Sequence, residues 1–236
     1  MLTGIKDLDH IILNKLDDKD LVNVCQTNKK ADEICNDQAF WLNRIKTKFP
    51  ELTMDMLNKY KRGRTWSDYY IKDLIQIKPR SANNAIVNGA YGERLDWIIV
   101  GLKNGADINT YLGNYPLIIA VDTGNLDIVK YLVEHGADIH IVHDFPLRTA
   151  SEYGYLDIVK YLVEKGANIN DVDMFTKPLS LAGENGHLDV IKYLVENGAD
   201  IRARDDEAIR YVDAYYGGKN KNEIIDYLVS LGAPRP

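Results

Sequence analysis

One nine-residue string occurs three times almost unchanged. Leu126–Glu134 and Leu156–Glu164 both read LDIVKYLVE, and Leu188–Glu196 reads LDVIKYLVE. The spacing is 30 and then 32 residues, a period that belongs to repeat architectures, in which one supersecondary unit recurs and buries its apolar face only against its neighbours. A Gly-Ala pair follows each string, at Gly136, Gly166 and Gly198, with weaker copies at Gly105 and Gly232, and a Pro-Leu pair opens three units at Pro116, Pro146 and Pro178. The pattern gives five units, at about 81–110, 114–142, 144–172, 176–204 and 206–236.

The unit at 114–142 carries the physics of the others. Pro116 suits the first helical turn, where its missing N–H costs nothing, and Leu117, Ala120 and Val121 fall on one face. Gly124 supplies a left-handed stop. Asp127 places a carboxylate near the positive end of a second helix, whose apolar stripe is Leu126, Val129, Leu132 and Val133. Gly136 stops that helix, and the chain from Ala137 to about Phe145 returns as a short hairpin-like loop.

On the residues NYPLIIA, DFPLRTA and TKPLSLA, then GNLD, GYLD and GHLD, then GADIN, GADIH and GANIN, this half of the chain resembles the ankyrin repeat family. The resemblance implies an all-α ankyrin-repeat solenoid of helix-turn-helix units with short hairpin-like loops, and a function of binding other proteins. The family's Thr before Pro is replaced by Tyr115, Phe145 and Lys177, and its His after Pro-Leu by Ile118, Arg148 and Ser180. Losing those hydrogen bonds weakens each unit by roughly 1 kcal/mol per bond, which leaves stacking as the main support. The last unit has Ala208-Ile209 where Pro-Leu is expected, and reads as a terminal cap.

The period does not extend before about Ser81. Charge divides at the same place: residues 1–80 carry 15 basic and 12 acidic side chains, and residues 81–236 carry 14 and 23, within a net charge of −6. The acidic larger part argues against nucleic acid, which needs a clustered basic face. Residues 1–45 read as three short helices, close to the lower size limit for independent stability. Asp18 or Asp20 is the expected cap of the second. Residues 46–80 read as a helical linker with apolar patches at Leu52, Met56, Tyr60, Trp66, Tyr69, Tyr70 and Leu74, and with a basic cluster, Lys59, Lys61, Arg62 and Arg64, expected to be a solvated loop.

The ladder Leu8, Ile12, Leu16, the stretch Leu16–Cys35 with Asp20-Leu21 and Val24-Cys25, and the pair Phe40-Trp41 resemble an F-box, although the usual Pro after the first Leu is absent. The resemblance implies docking on a Skp-type adaptor of a cullin–RING ubiquitin ligase through Leu8, Ile11, Ile12, Leu16 and Leu21. An F-box-like module ahead of short ankyrin repeats resembles adaptor proteins encoded by large DNA viruses. The alternative is a scaffold that sequesters a partner, with residues 1–80 as a helical cap.

No nucleophile elbow, phosphate loop, HExxH or calcium loop occurs, so no catalytic residue and no cofactor are expected. His140, His143 and Asp144 are the nearest approach to a metal set; without a fourth ligand they read as a polar turn. His187 reads as structural. Cys25 and Cys35 match no disulfide framework and are expected as free thiols. With no leader-like start and no 18-residue apolar run, an intracellular, cytoplasmic protein away from the membrane is expected. Target binding is assigned to an apolar series in successive loops: Tyr111, Leu112 and Tyr115, then Val142, His143 and Phe145, then Met174 and Phe175.

Overall fold

Among the described residues, 6–28, 31–170 and 177–236 of a computed structural model, the chain forms helices and no strand. It divides into two compact units, Met1–Leu112 and Gly113–Pro236.

The first unit opens with α1 (Lys6–Lys15) and α2 (Asp18–Thr27). Asp17, rather than the expected Asp18 or Asp20, caps α2, its side chain accepting the Asp20 N–H at 2.8 Å. Asp18 has a different partner. It points inward to Arg44 of α4 (Gln38–Lys48), which is 4% exposed and pairs with it at 2.9 Å. The same guanidinium donates to the carbonyls of Asn14 at 3.2 Å and Leu16 at 2.7 Å, satisfying acceptors that the end of α1 leaves open. Tyr70 and Lys48 complete the cluster on Asp18. Leu13, Leu21, Trp41 and Ile45 of the same helices are all fully buried or nearly so, and Trp41 lies edge-on to Phe40.

Between α2 and α4 lies the one-turn α3 (Asp32–Cys35). The expectation of free thiols fails here: Cys25 and Cys35 form a disulfide, with Cα atoms 5.6 Å apart, which ties α2 to α3. Nine residues separate the two cysteines, and the approach of α2 and α3 brings the side chains together, which no spacing rule anticipates.

Residues 46–80 form α5 (Met54–Lys61), capped by Thr53, and α6 (Trp66–Tyr69), capped by Thr65, running into a π-helical turn at Tyr70–Leu74. The basic cluster expected as a solvated loop is split. Lys59 and Arg62 are exposed, whereas Arg64 is drawn in by both carboxylate oxygens of Asp73, at 2.6 and 2.9 Å. The first repeat pair, α7 (Ala82–Tyr91) and α8 (Leu95–Lys103), belongs to this unit, and the linker packs on it through polar bonds. Tyr69 donates to buried Asp96 at 2.6 Å, Arg94 bridges Asp96 and Asp73 at 2.6 and 2.8 Å, and the Leu95 N–H donates to Tyr60.

The second unit stacks four helix pairs: α9 (Pro116–Asp122) with α10 (Leu126–Glu134), α11 (Ile141–Glu152) with α12 (Leu156–Glu164), α13 (Pro178–Glu184) with α14 (Leu188–Glu196), and α15 (Ala203–Tyr215) with α16 (Lys221–Ser230). The core is periodic: Ile128, Val129 and Leu132 recur as Ile158, Val159 and Leu162 and as Val190, Ile191 and Leu194, each at most 2% exposed. Asn125 caps α10, accepting from the Ile128 N–H at 3.1 Å. Its counterparts Tyr155 and His187 cap nothing. Their rings cover the glycine of the preceding unit, Gly124 and Gly154, where an added Cβ would run into the ring. His187 Nε2 also meets the Glu152 carbonyl at 2.9 Å, so the histidine is structural as expected.

Candidate interaction surfaces

The loops of the repeats are built by short-range polar bonds. Asp107, Asp138, Asn168 and Asp200 each accept the N–H two residues on, at 2.9–3.0 Å, which turns the chain back on itself. In the second unit these turns are laced from repeat to repeat. Asp144 accepts from the Asn168 N–H at 3.0 Å, and Asn170 accepts from the Asp200 N–H at 2.9 Å while donating to the Gly198 carbonyl at 2.7 Å.

Two of the loops reach their helix through three consecutive left-handed residues: Val142, His143 and Asp144 (φ 50, 58 and 52°) and Arg204, Asp205 and Asp206 (φ 53, 56 and 63°). For non-glycine residues this conformation costs about 1–2 kcal/mol each. Arginines six residues on hold both turns. Arg148 donates to the Val142 carbonyl at 3.3 Å and lies 5.1 Å from the Phe145 ring, and Arg210 donates to the Asp205 and Arg204 carbonyls at 2.8 and 3.0 Å. These braces escaped the sequence reading. Their available signal was Arg148 and Arg210 standing two places after Pro146 and Ala208. Ser180, at the family's histidine position, donates to buried Glu207 at 3.0 Å and ties α13 to α15, so the bond counted as lost in that unit is replaced.

The residues expected to bind a target divide by placement. In the first unit, Tyr111 and Leu112 are 62% and 47% exposed. In the second, Val142 is 44% exposed and His143 is exposed beside it, whereas Tyr115 and Phe145, each just ahead of its proline, are half-buried. Met174 and Phe175 lie outside the described residues. The strained turn thus presents Val142 and His143 to solvent and turns Asp144 inward, where it meets His140 Nδ1 at 2.9 Å. Among the described residues no group of three potential ligands could hold a metal ion.

On α1, Ile11 is 53% exposed, Ile12 and Leu16 are half-buried, and Leu13 between them is fully buried. Leu21 on α2 is fully buried. Leu8 lies in α1, and its side chain is outside the described residues.

The buried charges of the first unit have shifted protonation equilibria. Burial alone would raise the Asp18 carboxyl, but bonds from Lys48, Tyr70 and Arg44 outweigh it and hold the group below the usual carboxylate range. Asp73 is held low in the same way, with Arg64 and Arg94 overcoming its burial. Burial and then the Asp96 carboxylate push the Tyr69 hydroxyl far up, which keeps it a neutral donor. In the second unit the one shifted carboxylate among the described residues moves the other way: burial and then Glu152 raise Asp122.

Periodic helix pairs joined by laced loops, with exposed apolar side chains at a loop tip, define a helical repeat protein whose chemistry lies in its surfaces. The family model for ankyrin repeats matches residues 83–173 and 146–205, together just over half of the chain, and the chain belongs to the ankyrin repeat family. Ankyrin repeats indicate a role in protein–protein interaction. No curated protein matches the chain. No helix among the described residues is long and apolar enough to cross a membrane.

Proposed function

We propose that the chain is a non-catalytic recruiting subunit. Residues 1–45, as an F-box-like module, dock on a Skp-type adaptor of a cullin–RING ubiquitin ligase, and the repeats hold a protein target for ubiquitination. The observation that carries the reading is the outward apolar side of α1: Ile11 is half in solvent, with Ile12 and Leu16 partly open on the same helix and the turn that follows it. Leu21 supports that surface from within the core. On the target side, Val142 and His143 at the loop tip supply an apolar and an adaptable polar contact. The order of modules resembles that of adaptors encoded by large DNA viruses, a resemblance that supports a target in a host cell.

Co-purification of the full chain with a Skp-type adaptor tests the reading. Wild type is expected to retain the adaptor and Ile11→Asp to lose it; because Ile11 is exposed, the variant keeps its fold. No retention by wild type, or equal retention by Ile11→Asp, sinks the docking role.

One observation favours a second reading, an ankyrin scaffold whose N-terminal helices are a cap. Tyr69 donates to Asp96 of α8, and Asp73, which Arg64 also holds, is bridged to Asp96 by Arg94, so the linker and the first repeat pair are parts of one unit. Deletion of residues 1–45 separates the two. A cap takes the thermal stability of the repeats with it, and a docking module leaves the repeats folded and removes adaptor binding alone.

A further inference from the structure

The first unit contains a cavity of about 230 Å³ that neither proposed surface uses, where the ends of α4 and α8 meet the segment after the π-helical turn. Its walls combine two kinds of group. Half-buried Ile75 and Ile77, with buried Phe49 and Leu74, give it an apolar floor, and Lys48, Lys78 and Lys103 line it as well. Asp18 is its one carboxylate, and Arg44, Tyr70 and Lys48 already hold that group. Lys103 donates to the Lys48 carbonyl and lies 5.5 Å from the Phe49 ring, two contacts that place its ammonium group without a carboxylate in either. A second cavity of about 480 Å³ shares Asp18, Ile75 and Lys78 with the first and adds Lys19 and Asp20 along α2, so the basic surplus belongs to the first cavity.

Lys48 is already paired with Asp18, whereas Lys78 and Lys103 add positive charge at the same cavity that an anion there would offset. In a chain of net charge −6 such a surplus is local. The apolar floor then decides between anions: a bare phosphate or a nucleic-acid backbone would leave Ile75 and Ile77 unused. The smaller cavity also falls below the roughly 300–1,000 Å³ of enclosed small-molecule sites. The second lies within that range, and two adjoining cavities that share a wall suit an extended chain that places successive side chains.

We propose that this trough binds a short linear segment of a partner protein in which Asp or Glu alternates with Leu, Ile or Phe, the carboxylates meeting the lysines and an apolar side chain filling the floor. The site is separate from the α1 surface and stands whether or not that surface docks an adaptor.

Selection of a phage-displayed library of random dodecapeptides on the immobilised full chain tests it, with every recovered peptide compared on wild type and Lys78→Glu. Lys78 is exposed, so the variant folds, and an unchanged circular dichroism spectrum verifies that. A set of peptides is expected that pairs acidic with large apolar residues. A fluorescein-labelled member should bind about tenfold more weakly to Lys78→Glu, lose its affinity when its carboxylates become amides, and bind Ile11→Asp as tightly as wild type. The proposal is overturned if no peptide distinguishes wild type from Lys78→Glu, if the peptides that do so lack acidic residues, or if a single-stranded DNA dodecamer displaces them at equal concentration.

Discussion

The two units of this chain are held together by different physics. The first is assembled around buried charge: Arg44 with Asp18, and Arg94 with Asp73 and Asp96, each a single arrangement among helices far apart in sequence. The second repeats one apolar contact set down the stack, with aromatic rings over glycines and side chains of one loop accepting N–H groups of the next. A charge network fails when one member is lost, because the remaining charge stays buried and unpaired. A stack loses only one interface at a time.

All three tryptophans, Trp41, Trp66 and Trp97, lie in the first unit, so their fluorescence reports that unit alone while far-ultraviolet circular dichroism reports both. The largest expected effect is Arg44→Met, which strands Asp18 and the carbonyls of Asn14 and Leu16. Loss of about 3–5 kcal/mol follows, and in urea the tryptophan transition should move far to lower denaturant while the remaining dichroism transition stays. Coincident shifts of both signals would mean that the units unfold as one.

The next effect separates close approach from backbone strain within the second unit. Gly154 (φ +73°) faces the His187 ring, and Gly198 (φ +93°) has nothing within 4 Å of where a Cβ would stand. Gly198→Ala is expected to cost about 1 kcal/mol, from the left-handed backbone alone. Gly154→Ala adds the steric clash and is expected to cost about 2–3 kcal/mol, with stability read from dichroism in urea. Equal costs would show that the ring moves aside freely and that the ring-on-glycine contact contributes little.

Acid gives the smallest and most selective contrast. Asp18 and Asp73 have folded pKa values depressed below their unfolded ones, so their contribution is present above the unfolded value near 3.9 and is lost as pH falls through the folded values. Asp122 is raised, so its contribution has the opposite sign: it favours folding below the unfolded value and is lost as pH rises through the folded one. Between pH 5 and 3 the tryptophan transition is therefore expected to weaken more than the dichroism transition of the second unit. Asp18→Asn should flatten that dependence in the first unit, at the expense of stability at neutral pH. Parallel weakening of both units would break the comparison.

The repeats were legible because their information is local. The strings Leu126–Glu134, Leu156–Glu164 and Leu188–Glu196 are α10, α12 and α14 to the residue, with glycine stops where the period places them. Legibility fell where one residue type can serve two purposes. Asp18 reads as a helix cap until Arg44 is seen to claim it, and Asp17 caps instead. Tyr155 stands at a cap position and covers a glycine. Lys48, Lys78 and Lys103 are 55 residues apart from first to last, and no spacing in the sequence links them; α4 and α8 bring them to one cavity.

The sequence by itself determined the helix pairs, their period, the loops and so the family, because apolar spacing and glycine stops act within a turn or two of their own position. Only the tertiary structure decided the Cys25–Cys35 bond, the partners of the buried arginines, the left-handed turns at 142–144 and 204–206, and which apolar side chains stay in solvent. Those features depend on how closely elements distant in the chain approach one another, and that distance is set by the packing of the whole unit.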